Sequence, residues 1–131
     1  MKSPKRFLVL LVALILLPLP VQAVVALTTM NQVGKAVLAC WEPPAGVKNS
    51  SVTLSFSFKR DGSLIGPPRS TAIDVDGDES TRKQFIAAAI DAVEQCTPVK
   101  FSSDLAQGIP GQVFSMEFAT ADRTPSITPD N

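Results

Sequence analysis

The segment from Val52 to Lys59, VTLSFSFK, alternates strictly between apolar and polar side chains. A period of two places all the apolar residues on one face, as in an antiparallel strand that is buried on one side. Asp61 and Gly62 follow directly, and this dipeptide readily supplies the positive φ of a hairpin turn. The segment therefore predicts a strand that needs a neighbouring strand and an apolar layer beneath it.

Two prolines interrupt the segment after the turn. Leu64 and Ile65 are predicted to begin the return strand, but Pro67 and Pro68 follow almost at once. Proline has no N–H to donate to a ladder, so a strand that contains it belongs at a sheet edge. We therefore expect the return strand to form one outer edge of the sheet, and its prolines to protect that edge against further pairing.

Residues 112–119, QVFSMEFA, alternate in the same way and predict the last strand. Residues 27–38 and 80–95 have apolar side chains at spacings of three and four, which predicts two amphipathic helices. The order helix, strand, strand, helix, strand indicates an α+β fold in which a three-stranded antiparallel sheet packs on the helices. Residues 24–119 are expected to form this domain, and residues 120–131 a flexible tail.

Residues 1–23 have the layout of a secretory signal peptide. Basic residues precede an apolar run from Phe7 to Leu17, and a small-residue cleavage pattern ends at Ala23. The alternative is an uncleaved segment that anchors the chain in the membrane. Cleavage after Ala23 leaves nine basic and twelve acidic residues, a formal charge of −3, without a basic stripe. This charge pattern argues against nucleic acid as a partner.

The chain contains two cysteines, Cys40 and Cys96, and no histidine. In an exported chain an even number of cysteines indicates a disulfide, whereas a catalytic thiol would need a base that histidine usually supplies. We therefore predict a Cys40–Cys96 disulfide. On the chain-entropy model, a crosslink over this separation contributes about 4 kcal/mol.

Three alternate acidic residues, Asp74, Asp76 and Asp78, raise the possibility of a calcium loop. An EF-hand loop would have glycine at its sixth position and glutamate at its twelfth, where this chain has Glu79 and Phe85. Acidic residues before a helix are favoured by its dipole, so this segment predicts a helix start. No metal or other cofactor is predicted, and no catalytic constellation is evident.

Trp41 is the only tryptophan and follows Cys40 directly. It is interpreted either as an anchor for a binding partner or as a side chain packed beside the disulfide, and we favour the second interpretation.

Four segments resemble the C-terminal domains of TonB and TolA, with a closer likeness to TolA and to small exported domains of alphaproteobacteria. They are CWEPP, VTLSFSFKRDGSLIGPP, RKQFIAAAIDAVEQCTPVKF and GQVFSMEF. The resemblance covers about residues 36–119. It implies a periplasmic docking domain without enzymatic activity, and a TolA-type disulfide. Trp41–Pro44 stands where TonB domains commonly have Tyr-Pro.

The resemblance also implies how the domain binds. Domains of this family bind envelope proteins, often by accepting a strand at an open sheet edge. In the family's sheet the first strand is central, which leaves the last strand with an outer edge. The predicted docking edge comprises Gln112, Val113, Phe114, Ser115, Met116, Glu117 and Phe118.

The expected partner of that edge is a periplasmic or outer-membrane protein. In the alternative structure a loop or the tail covers the edge. The alternative function is a membrane-tethered accessory component of a Tol- or Ton-type transport system.

Overall fold

The computed structural model describes residues 25–123 and 127–129. Its elements are α1 (Met30–Leu38), β1 (Ser51–Phe56), β2 (Arg69–Asp74), α2 (Glu79–Gln95), α3 (Ser103–Gly108), β3 (Phe114–Ala119) and β4 (Ile127–Pro129). The predicted α+β class, with an antiparallel sheet packed on helices, is confirmed. The predicted signal peptide and its cleavage site lie outside the described residues.

The sheet has the strand order β2-β1-β3-β4, and each neighbouring pair is antiparallel. In the centre, Val52 of β1 lies opposite Ile73 of β2 and Phe118 of β3. The alternation that predicted β1 is confirmed by burial, since the apolar set is almost completely inaccessible. This set is Val52, Leu54, Phe56 and Phe58.

Helix α2 covers the apolar face of the sheet. Phe85, Ala89 and Val93 of this helix are fully buried, and they have the spacing of one helical face. The Asp78 carboxylate caps the start of α2 by accepting hydrogen bonds from the Thr81 N–H, at 2.8 Å, and the Thr81 hydroxyl, at 2.9 Å. These bonds lower the pKa of Asp78, in agreement with the predicted helix start.

Helix α1 is tied to α2 at their carboxyl ends. Cys40 follows α1, Cys96 follows α2, and the predicted disulfide joins them across a Cα–Cα distance of 6.0 Å. The Thr29 hydroxyl caps α1 by accepting a hydrogen bond from the Gln32 N–H. The crosslink therefore ties the carboxyl end of α1 to that of α2.

The predicted turn at Asp61-Gly62 packs closely against a distant loop. Gly62 has φ +84°, and a Cβ at this position would lie 1.6 Å from the carbonyl oxygen of Val99. The Val99 N–H donates a 3.0 Å hydrogen bond to the Gly62 oxygen. Gly62 is therefore required by its backbone angle and by this close approach.

Two short elements are additional to the predicted order. Helix α3 lies in a segment expected to be irregular, and the Ser102 hydroxyl caps it by accepting a hydrogen bond from the Leu105 N–H. Strand β4 lies in the segment expected to be a flexible tail. Residues 120–123 of that segment are also held by hydrogen bonds, as described below.

Candidate functional site

The structure places the predicted docking edge at β3. Gln112 and Val113 precede the strand, and the other five residues belong to it. The predicted facing of the side chains is confirmed, because one alternate set is buried and Val113 is 47% exposed. The buried set is Phe114, Met116 and Phe118.

The outer edge of β3 is not open along its first half. Strand β4 pairs with it, with Ser115 opposite Thr128 and Met116 opposite Ile127. The prediction that Gln112 to Phe118 forms an unpaired docking edge is therefore corrected, and the alternative in which the tail covers this edge holds for Phe114–Met116. The physical reason is that an unpaired row of backbone groups gains hydrogen bonds from any extended segment within reach.

The other end of the β3 edge is covered by Trp41. The Thr120 N–H donates to the Ser50 oxygen, so residue 120 faces β1 and, by alternation, Ala119 faces away from it. The indole N–H of Trp41 donates a 2.8 Å hydrogen bond to the Ala119 oxygen. The ring also makes edge-on contacts with Phe85 and Phe118. These contacts support the structural interpretation of Trp41 that we favoured.

A polar cluster of Asn49, Ser50, Thr120 and Asp122 fixes the chain just after β3. The Asn49 N–H donates to the Asp122 carboxylate at 2.8 Å, and the Ser50 N–H donates to the Thr120 hydroxyl at 3.1 Å. The Thr120 hydroxyl also donates to Asp122, and this bond, followed by that from Asn49, lowers the pKa of Asp122. Ser50 is fully buried, so this cluster is part of the folded structure.

Arg123 extends the polar cluster to β2. Its guanidinium donates to Asp74 at 2.8 Å, to the Ser51 hydroxyl at 2.9 Å and to the Asn49 side-chain oxygen at 3.1 Å. The bond with Asp74 is the main reason that the pKa of Arg123 is raised. The segment after β3 therefore holds the end of β2 in place.

Strand β2 forms the other outer edge of the sheet. Its position corrects the prediction that the return strand begins at Leu64 and Ile65 and is protected by its prolines. Leu64 makes only an isolated bridge with Phe58, while the return strand itself is Arg69–Asp74. Pro67 and Pro68 thus precede β2 and do not interrupt it. Along the described residues β2 has a single strand neighbour, β1, so the edge expected to be blocked is the accessible one.

The backbone groups that β2 directs outward follow from its pairing. The Ile65 N–H donates to the oxygen of Ser57, the residue that follows β1, so Ser57 and, by alternation, the odd-numbered residues of β1 bond towards the β2 side. Ser51, Thr53 and Ser55 lie opposite Asp74, Ala72 and Arg69. Consequently the backbone N–H and C=O groups of Ser70 and Ile73 face away from β1.

A β-bulge divides this edge. The register of β2 shifts between Thr53 and Leu54, where Ala72 and Ser70 lie opposite and Thr71 is the extra residue. The Thr71 hydroxyl lies 3.4 Å from the Thr53 oxygen. A bulge increases the local twist, so an incoming strand must follow a more strongly twisted edge.

The three alternate aspartates have separate structural roles. Asp74 bonds to Arg123, the Asp76 N–H donates to the Ser50 hydroxyl at 3.0 Å, and Asp78 caps α2. Among the residues that the structure describes, no cluster of three His, Cys, Asp or Glu side chains is arranged to hold a metal ion.

The disulfide indicates an oxidising compartment outside the cytoplasm. Across residues 25–123 and 127–129, no helix combines the length and the apolar character needed to cross a bilayer.

A family model described as "Uncharacterised conserved protein UCP034077" matches residues 23–122. The chain belongs to this family. No curated protein and no solved structure matches the chain. The resemblance to TonB and TolA stays a prediction.

Strand β2, the accessible edge within the region that matches the UCP034077 family, was not predicted from the sequence. The β2 sequence, RSTAID, lacks an alternating apolar pattern because most of its side chains are exposed on both faces. Pro67 and Pro68 are the stronger local signal, and they led to the prediction that the edge strand lies at residues 64–68. The two β-branched residues of β2, Thr71 and Ile73, are a weak strand signal that could have indicated it.

Proposed function

We propose that this chain is a non-catalytic, exported binding module of the cell envelope that associates with other polypeptides by strand addition to β2. The observation that carries this proposal is the accessible edge itself. It is six residues long, lacks proline, and directs the backbone groups of Ser70 and Ile73 away from β1. An extended peptide that adds to such an edge gains main-chain hydrogen bonds, and its alternate side chains give specificity.

The elements that support β2 are fixed by contacts within the domain. Strand β1 is paired on both sides, α2 covers its apolar face, and Arg123 holds Asp74 at the end of β2. A strand that is already fixed in its bound shape loses little conformational entropy on binding. Such preorganisation supports a role for β2 in recognition.

Other observations support the compartment that we propose for this chain and the class of partner that it binds. The signal-like residues 1–23 and the disulfide support export, and the family match begins at residue 23, beside the proposed cleavage site. The resemblance to TolA and TonB supports the periplasm as the compartment. It also supports a periplasmic or outer-membrane protein as the partner.

Site-specific crosslinking in cells tests the proposal. A photoreactive residue at Ala72, an exposed position of β2, is expected to form adducts, whereas the same residue at Glu94, an exposed position of α2, is not. Ser70→Pro removes an outward N–H and should abolish the adducts, while Ser70→Ala retains that N–H and should preserve them. Adducts that persist in folded Ser70→Pro protein would show that strand addition to β2 is the wrong mechanism.

A further inference from the structure

The sequence of β2 also indicates which strand fits its edge. Only its two end residues are charged, and they have opposite signs, Arg69 at the start and Asp74 at the end. We propose that β2 pairs with β2 of a second copy of this chain, an inference that rests on the accessible edge of the proposed function. The two chains would be related by a two-fold axis perpendicular to the sheet. Their four-stranded sheets would then form one continuous sheet.

The charged residues are complementary in this arrangement. Antiparallel pairing of two β2 strands about their centre places Arg69 of each chain opposite Asp74 of the other. Arg69 lies opposite Ser55 and Asp74 opposite Ser51, and these two serines share one face of β1. Both members of each intermolecular pair therefore lie on the same face, where directly opposite side chains interact.

The backbone groups are complementary in the same register. When Arg69 lies opposite Asp74 of the second copy, Ser70 lies opposite Ile73 of that copy. Ser70 and Ile73 are the residues whose backbone groups face away from β1. Each Ser70–Ile73 pair can thus exchange two N–H···O bonds, and the two-fold axis repeats this exchange on the other side.

The bulge at Thr71 is what permits the self-pairing register. Between Arg69 and Ala72, β2 has three residue steps, where β1 has only two between Ser55 and Thr53. In a regular strand, two residues five positions apart face opposite sides of the sheet. The extra residue places Arg69 and Asp74 on the same side, as directly opposite residues of an antiparallel pair require.

The side chains leave room for this contact, and the interface is small. Asp74 bonds to Arg123 within its own chain, yet 66% of its side-chain surface is exposed. Two strands of six residues bury less than the roughly 1,200 Å² that stable complexes need. The dimer is therefore a weak, concentration-dependent species that salt weakens further, because its charged pairs are exposed.

Variants that reverse the charge of Arg69 or Asp74 test this inference. Sedimentation equilibrium of the disulfide-bonded protein at low and high salt measures the dimer dissociation constant. Arg69→Asp or Asp74→Arg alone places like charges opposite each other at both ends, and should raise the dimer dissociation constant at least about tenfold. An equimolar mixture of the two variants restores both oppositely charged pairs, so it should associate more tightly than either variant alone. Because Asp74→Arg also removes the bond from Arg123, the mixture need not reach the affinity of the wild type. Lys100→Asp, at an exposed position away from β2, is the control for net charge and should associate as the wild type does.

The outcomes separate this inference from the proposed function. Wild-type protein that stays monomeric up to concentrations on the order of 0.5 mM overturns the self-pairing, while adducts at Ala72 with a different protein would still support strand addition. A dimer that persists in Ser70→Pro, or variants that fail to associate on mixing although each is folded, also overturns it. Recovery in the mixture supports it, since a fault in folding would not be repaired by the second variant.

Discussion

The indole N–H of Trp41 donates a 2.8 Å hydrogen bond to the main-chain oxygen of Ala119, which lies 78 positions further along the chain. This bond joins the segment after α1 to the last residue of β3. It occupies a carbonyl that the strand directs away from β1. Together with β4, the Trp41 side chain therefore covers an edge that would otherwise compete with β2 for incoming strands.

Replacement of Trp41 with phenylalanine is expected to lower the free energy of unfolding by about 1–2 kcal/mol, because the Ala119 carbonyl is left without its donor. The ring contacts with Phe85 and Phe118 are largely retained in this variant. Urea unfolding followed by circular dichroism measures the change. Val25→Ala, at a highly exposed position, is the control and should change stability by less than about 0.5 kcal/mol. A Trp41→Phe loss as small as this control would rule out a stabilising role for the bond.

Gly62→Ala tests the close approach of the Asp61-Gly62 turn to Val99. Its added Cβ meets the Val99 backbone and also occupies a positive φ. Gly66→Ala is the matched control, because Gly66 has φ +71° and no atom within 4 Å of such a Cβ. The control should cost about 1–2 kcal/mol from the backbone angle alone, and Gly62→Ala clearly more. Equal losses in thermal melts of the two variants would contradict the packing of this turn.

Removal of the disulfide with Cys40→Ser and Cys96→Ser together is expected to lower stability by about 3–4 kcal/mol, since the crosslink closes a long loop. Urea midpoints of the oxidised wild type, the reduced wild type and the double variant make the comparison. The reduced protein and the double variant should agree. A double variant as stable as the oxidised wild type would show that the noncovalent packing of α1 and α2 is sufficient without the crosslink.

The carboxylates of Asp61, Asp78 and Asp122 accept hydrogen bonds that lower each pKa below its ordinary value of 3.8. A carboxyl with a lowered pKa in the folded state stabilises the fold above its unfolded pKa, and that contribution is lost as the pH falls through the folded pKa. The chain has no histidine, so we expect a flat profile between about pH 5 and 7 and a fall below about pH 4.

A variant with these three aspartates changed to asparagine tests the origin of that fall. Asparagine retains a side-chain oxygen as acceptor but does not titrate. The urea midpoint of this variant should fall less steeply between pH 4 and pH 2 than that of the wild type. An equally steep fall would assign the acid sensitivity to other carboxylates.

Deletion of residues 127–131 removes β4 and is expected to expose the outer edge of β3 at Ser115. Unpaired edges promote association, so the shortened chain should scatter more light at high concentration. The experiment uses the Ser70→Pro background, in which pairing through β2 is prevented. Deletion of residues 130–131 alone leaves β4 in place and is the matched control. Equal scattering by the two truncated chains would show that β4 does not protect the edge.

The elements that could be predicted are those whose side chains divide cleanly between core and solvent. Val52 to Phe58 and Phe114 to Phe118 alternate because one face of each segment lies in the buried core, and α2 has a helical stripe for the same reason. The disulfide followed from the cysteine count. For the strands and the helix, the signal lies in the spacing of neighbouring residues. For the disulfide, it lies in the number of cysteines.

The accessible edge could not be predicted because its determinants are not local. Strand β4 has three residues, too few to show a period, and it pairs with β3 through main-chain groups, which leave no side-chain pattern. The bond from Trp41 to Ala119 spans most of the domain and leaves no pattern in either segment. Which edge is covered thus depends on where distant segments meet, and the local preference of Pro67 and Pro68 indicated the opposite edge.

The ring of Phe58 contacts Phe101 and Phe114, with centroids 5.4 and 5.5 Å away. These two residues pair with Leu27 and Pro129, which lie near the two ends of the described chain. The first and last described segments therefore pair with residues that contact the same phenylalanine ring, an arrangement that favours circular permutation or insertion into a host protein. A copy of this domain inserted through its first and last described segments would still expose the Arg69–Asp74 edge, because β1 and β3 lie between that edge and β4.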